Sequence, residues 1–194
     1  MNQMISTPVL ASVGAEMESW LGGWTTKLSP ADWAAALDPL ASDLICEAVR
    51  DVGGTEGSLW IADASQSALV PVFNTGPRAA EFVLKFAQPL SRGIIAMVHA
   101  NQMPVIEGDV AEASRQDPTL DQRLGVRTTS LLAVPFQFAG CPLGVLSAVM
   151  LETPGREKLG NFAPEAIVTF ERMAETLRRI LEWRFMRIGM GISE

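Results

Sequence analysis

Apolar residues recur along this chain in two rhythms, and the switches between them mark its elements. Leu10, Val13, Met17, Trp20 and Trp24 follow one another at steps of 3, 4, 3 and 4. That spacing places them on one side of a helix over 7–24, weakened at its end by Gly22-Gly23. Two tryptophans are costly to leave in water, so the stripe should pack on its own domain or on a second chain. Ser29-Pro30-Ala31-Asp32 is a helix start, with Ser as cap and Pro in the first turn. Asp38-Pro39 repeats the signal and predicts a break and restart. Leu40, Leu44, Ile45, Ala48 and Val52 form the inner side of the second piece, and Gly53-Gly54 ends it.

A strand is predicted over 58–63, a turn over 64–67 and a returning strand over 68–74. Residues 77–86 and 91–101 read as helices, the second capped by Ser91. Pro104-Val105-Ile106 is a short strand that Pro can open. Residues 108–127 form a long loop with a helical turn near 118–124. Two long strands, 128–138 and 141–151, are joined by Ala139-Gly140. A loop rich in Gly, Pro and Lys follows over 153–161. The last helix runs from Ala163 to about Ile188 with two apolar stripes. One holds Ile167, Phe170, Ala174, Leu177 and Leu181; the other holds Met173, Ile180 and Trp183. A helix apolar on two sides must bury two sides. One stripe can cover the sheet, and the other needs the first helix, a second subunit, or both. The expected fold is α+β, an antiparallel sheet with helices on both faces. Residues 1–37 form a helical extension, 38–188 the main domain and 189–194 a tail.

Composition narrows the function. With 194 residues, 48% apolar and 19% charged, the chain is globular. Its net charge of -7 argues against nucleic-acid binding, and the arginines of the last helix alternate with Glu171, Glu175 and Glu182. Cys46 and Cys141 cannot build a disulfide framework, so a reducing cytoplasm is the expected compartment. The N-terminus has no signal-peptide pattern, and no apolar run reaches the ~18 residues that span a bilayer. A single histidine, His99, excludes a His-rich metal site, and the two cysteines offer no zinc spacing. His99 lies near the end of its helix, where it could meet the helix dipole. No phosphate-loop, dinucleotide or nucleophile-elbow motif is present.

Between residues 93 and 151 the fixed points are Gly93, Pro104-Val105-Ile106, Asp109, Asp117-Pro118, Ser130, Pro135 and Gly144-Val145-Leu146. Together with the strand SLWIAD at 58–63 and the closing NFAPEAIVTFERMAETL, they resemble a GAF domain over residues 38–185. The resemblance implies a cytoplasmic, non-enzymatic module that senses a small molecule and dimerises, with a partner carrying the output. It names no cofactor and no ligand. Three branches of the family fit poorly. Val98 and Ala100 flank His99 where bilin binders carry a Cys. Glu152 stands where cyclic-nucleotide binders begin an Asn-Lys pair. Cys141 has no second loop cysteine, as the free methionine sulfoxide reductases would need. A GAF scaffold that dimerises without a ligand is a second reading, and an enzyme of the free methionine sulfoxide reductase type, acting through Cys141, is a third.

Strand alternation then suggests a binding face. Ser58 and Trp60, Ser130, Leu132 and Val134, and Val145, Ser147 and Val149 each share a side. Grouping them gives a mostly apolar wall with one hydroxyl per strand, the composition of a small-molecule pocket. The serines could instead satisfy local backbone groups. Phe82, Phe86, Ile94, Met97 and Val98 would complete the walls, with Asp109 and Arg127 at the rim. Arg127 could grip a carboxylate or phosphate, or pair with Asp109 or Asp121. Leu10, Val13, Met17, Trp20, Met173, Ile180 and Trp183 are the candidate dimer surface.

Overall fold

Local capping sets the helical frame. The computed structural model describes residues 8–113, 115–152 and 160–191. Helix α1 spans Pro8–Thr25, α2 Pro30–Ala36 and α3 Pro39–Asp51. Ser29 and Asp32 form a reciprocal capping box at the start of α2. Asp38 caps α3 by accepting from the Ala41 amide at 2.8 Å. The predicted break at 38–39 is therefore real, with each half separately capped.

Six strands follow among the helices: β1 Glu56–Ala62, β2 Ala68–Asn74, β3 Gln88–Pro89, β4 Val105–Gly108, β5 Thr128–Phe138 and β6 Cys141–Leu151. They form one antiparallel sheet in the order β3-β2-β1-β6-β5-β4. The helices between strands are α4 Ala79–Phe82, α5 Ile94–Asn101 and α6 Thr119–Leu124; α7, Ala166–Gly189, closes the chain. Helices α1, α2, α3 and α7 cover one face of the sheet. There Leu59, Ile61, Leu132, Phe136 and Leu146 pack with Ile45, Phe170 and Leu177. On the other face Trp60, Leu131, Ala133 and Val145 meet Phe82, Ile94, Val98 and Leu124 from α4, α5 and α6. The expected α+β layering holds.

The described part of the extension, residues 8–37, packs onto this core. Leu21 and Trp33 are buried in it. The Trp33 ring lies 4.9 Å from Phe138 and 5.0 Å from Phe185, both edge-on, so α2 is sealed against the end of β5 and against α7. Arg184 of α7 reaches back to the Ala36 carbonyl at 2.5 Å and to the Asp38 carboxylate.

Several expectations need correction. The helix predicted over 77–86 shrinks to four residues. Leu84 turns the chain with φ +58, and β3 then pairs with β2. Helix α5 starts at Ile94 on Gly93, whose φ is +89, and not on Ser91. Leu40 lies in the exposed first turn of α3, off its inner side. His99 does lie in the last turn of α5, as expected, but its side chain is buried. Burial holds its imidazole below the usual range, against an opposing hydrogen bond with the Gly144 backbone. Most of the predicted loop 153–161 and the tail beyond 191 fall outside the described residues.

The most consequential correction concerns β5. The hairpin turn pairs Phe138 with Cys141 and Gln137 with Pro142, but Phe136 then pairs with Gly144. Leu143 is an extra residue on β6, a β-bulge. Continued without it, the register would set Leu132 opposite Ser147, as the alternation argument assumed. With it, Ala133 faces Ser147 and Leu132 faces Ala148. One inserted residue moves a whole strand pattern to the other face. Ser130, Leu132 and Val134 consequently lie on the α3/α7 side.

Candidate functional site

The hollow under α4, α5 and α6 is built on strand positions two apart. Glu56, Ser58 and Trp60 of β1 point into it, as do Ser147 and Val149 of β6 and Leu131 of β5. Glu56 lies opposite Val149 and Ser58 opposite Ser147, which keeps these side chains on one face. The roof comes from Phe82, Ile94, Ile95, Leu120 and Leu124. The hollow, partly open to solvent, has a volume of about 90 Å³. Drug-sized sites run to roughly 300–1,000 Å³, so this hollow suits a compact metabolite.

Its polar groups fall into two sets. On the floor, the Trp60 indole donates to the Ser147 hydroxyl at 3.1 Å. The Asn74 amide donates to the Ser58 hydroxyl at 3.0 Å and to the Gly57 carbonyl at 3.2 Å, while its oxygen accepts from the Gly76 amide at 2.7 Å. Asn74 thus holds the β2 exit against the cavity. Burial raises the Glu56 carboxyl above its ordinary range, opposed by the Asn74 amide and the Arg78 charge. A Cβ built on Gly76 would lie 2.1 Å from the Glu56 carboxyl carbon. The absence of a side chain at 76 gives that carboxylate its place.

In the roof, Asp117 ties three segments together. It accepts from the Gln88 amide at 3.0 Å and from the Thr119 amide and hydroxyl at 3.1 and 2.5 Å, and it pairs with Arg92 at 2.8 Å. Burial alone would raise its pKa; the bonds from Thr119 and Gln88 and the Arg92 charge outweigh that and lower it. Gly93 fits because a Cβ there would come within 3.0 Å of the Gln88 amide nitrogen. The β3 edge and the starts of α5 and α6 converge on this one carboxylate.

Of the residues singled out from sequence, Trp60, Phe82, Ile94 and Ser147 line the hollow. Phe86 and Val98 are buried behind it, Phe86 edge-on to Trp60 at 6.3 Å. Met97 borders a separate outer groove with Arg92 and Arg115. Asp109 takes a left-handed conformation, φ 51, ahead of a short 3₁₀ turn and does not line the hollow. Arg127 lies outside, 3.5 Å from Glu112 and 3.6 Å from Glu152. Ser130 serves the backbone: it donates to the Glu107 carbonyl at 3.2 Å and accepts from the Phe162 amide at 3.4 Å. Leu132 belongs to the opposite core.

Sequence reading missed Glu56, Asn74, Gln88 and Asp117 as cavity residues. Extending the β1 alternation back two positions from Ser58 would have found Glu56. Asn74 was hidden by a second register shift, since Ala62 pairs with Leu69 but Ser58 with Asn74. Gln88 and Asp117 come from loop geometry that no periodicity encodes.

The candidate dimer residues divide. Val13, Met17, Trp20 and Trp183 are exposed, while Met173 and Ile180 are half-buried. The Leu10 side chain lies outside the described residues. Trp20 meets Trp24 edge-on at 5.5 Å, and Trp24 contacts Phe185 of α7 at 5.8 Å. Helix α1 therefore packs on its own chain and still presents an apolar outer edge. Cys141 is exposed near Gly22 of α1, and Cys46 lies in α3 on the far side of the sheet. Neither lines the hollow. Among the described residues, no cluster of His, Cys, Asp and Glu could hold a metal ion, and no helix is long and apolar enough to cross a membrane.

No protein-family model and no curated protein matches the sequence. Solved structures do match in shape. The GAF domain of a phosphoenolpyruvate-protein phosphotransferase from Coxiella burnetii aligns with a TM-score of 0.62 at 16% identity, over 93% of this chain and 97% of that one. The free methionine-R-sulfoxide reductase from Neisseria meningitidis, solved with its substrate, aligns at 0.58 and 19% identity, over 93% and 95%. The GAF-B domain of DevS from Mycobacterium smegmatis aligns at 0.58 and 19%, over 77% and 95%. The chain has the fold of a GAF domain.

Proposed function

We propose that this protein is a non-catalytic sensing module that binds a compact metabolite in the hollow between β1, β6 and the α4–α6 roof. The observation that carries this reading is the hollow itself: apolar walls with a few fixed polar groups, on a fold shared with the GAF domains of DevS and of a phosphoenolpyruvate-protein phosphotransferase. Two copies associate through the outer edges of α1 and α7, and a separate partner in the cytoplasm reads the bound state. Coupling has a physical route. Strands β1 and β6 present Trp60 and Ser147 to the hollow and Leu59, Leu146 and Ala148 to the α3/α7 core. A ligand that prefers one setting of these strands shifts the helices behind them only by its difference in affinity between the two settings.

A reductase reading has less support, because the thiols lie away from the hollow and that reaction needs a thiolate at the substrate. Native mass spectrometry of freshly purified protein should report a two-chain species carrying a small molecule. A bare species, together with silent calorimetric titrations against a metabolite panel, would reject the sensor.

A further inference from the structure

The charge inventory of the hollow is lopsided once each ion pair is counted. Arg78, the basic side chain in its lining, is spent: its Nε and Nη2 donate to the two Glu81 oxygens at 2.7 and 2.6 Å. Asp117 is neutralised by Arg92. Asp121 accepts from the Thr128 amide at 2.8 Å and hydroxyl at 3.0 Å. Like Asp121, Glu56 is held by hydrogen bonding alone, here from the Asn74 amide. It is half-buried, and no basic side chain among the described residues forms an ion pair with it, although the charge of Arg78 acts on it from further away. Its position is nonetheless built, since Gly76 makes room for the carboxylate and the neighbouring Asn74 is fixed by three hydrogen bonds.

Resting on the hollow as the ligand site, we propose that its ligand is a compact cation, an ammonium or amidinium on a short apolar body, with Glu56 as counter-ion. A carboxylate or phosphate would find no unspent cation in the lining and would face Glu56 at close range. A cation instead supplies the direct ion pair that Arg78, bound to Glu81, does not make, and its apolar body meets Trp60, Phe82, Ile94 and Leu131. The burial that makes this carboxylate costly also strengthens its attraction for a bound cation. The raised pKa of Glu56 is the free protein's side of that balance.

Three probes of matched size separate charge from shape: n-butylammonium, n-butanol and butyrate. Binding is read from the Trp60 indole N–H resonance, whose acceptor is Ser147 inside the hollow, assigned by its loss in Trp60→Phe. Butylammonium should shift it saturably, at a concentration at least ten-fold below that required for either other probe. Glu56→Gln should weaken butylammonium about ten-fold or more and remove the preference over butanol. Gly76→Ala gives a second handle. Its new methyl meets the flexible end of Glu56, so the fold should persist while the carboxylate is displaced and the ammonium preference falls. Equal or tighter binding of butanol or butyrate, or an undiminished ammonium preference in folded Glu56→Gln, would overturn the cation assignment alone. Silence from all three probes at saturating concentration would overturn the hollow as a binding site as well.

Discussion

At the scale of single residues, close approach decides more than chemistry. Gly144 of β6 lies opposite Ile61, and a Cβ there would stand 1.8 Å from the Trp60 carbonyl oxygen. Backbone cannot yield as a side-chain tip can. Gly144→Ala should therefore cost about 3 kcal/mol or more, measured as a lower midpoint in urea with an unchanged slope. Gly76 presents the contrasting case, because the atom in the way is the end of Glu56. Sequence alone marked Gly144 as a fixed point, but it could not separate these two kinds of crowding. Ser130 shows the same limit. Its hydroxyl looked like a ligand group, yet it joins β4 to the chain before α7 by bonding the Glu107 carbonyl and the Phe162 amide.

At the scale of elements, the long strands were legible to the residue. Residues 128–138 and 141–151 carry sustained β-branched and apolar character and a turn that only one register closes. The helix breaks at 29–30 and 38–39 were legible because capping is local. What sequence could not provide was the phase of one strand against another. Leu143 on β6 and the shift in β1–β2 each change that phase by one, and neither has a compositional mark. Tertiary contacts also trimmed the helix predicted over 77–86, since Leu84 gives its amide to the Pro71 carbonyl. The same scale holds a test of how the extension is attached. Arg184 joins the end of α2, the start of α3 and the middle of α7. Hydrogen bonds from a charged donor are worth about 1.5–3 kcal/mol each when partly buried. Arg184→Ala should destabilise the whole unit by about 2 kcal/mol in chemical denaturation, and it should speed hydrogen exchange in α2 before the sheet.

At the scale of the molecule, the two faces of the sheet divide the work. The α1/α2/α3/α7 side holds the larger core and the exposed Trp20 and Trp183; the α4/α5/α6 side holds the hollow. The proposed association surface and the proposed binding site thus lie on opposite faces of one layer. Replacing Ile180 and Trp183 together by Glu should give a folded monomer in light scattering and leave the Trp60 resonance in place. An unchanged oligomer would place the interface elsewhere. The layer itself was visible from sequence, through order and periodicity. The phase of β5 was not, because it depends on a β-bulge: Ser58 and Ser147 face the hollow as grouped, and Ser130 does not.

Leu143 lies beside the hairpin tip, far along β6 from Glu56, yet it fixes which half of β5 looks toward the hollow. Loop tips are where chains gain and lose residues most easily. In this architecture a change of one residue at that distant corner would re-address the inner wall wholesale, bringing Ser130 and Leu132 into the chamber and sending Leu131 and Ala133 out. Relatives with near-identical strands could then greet quite different molecules, and comparing their hairpin lengths would predict the difference better than comparing their strand sequences.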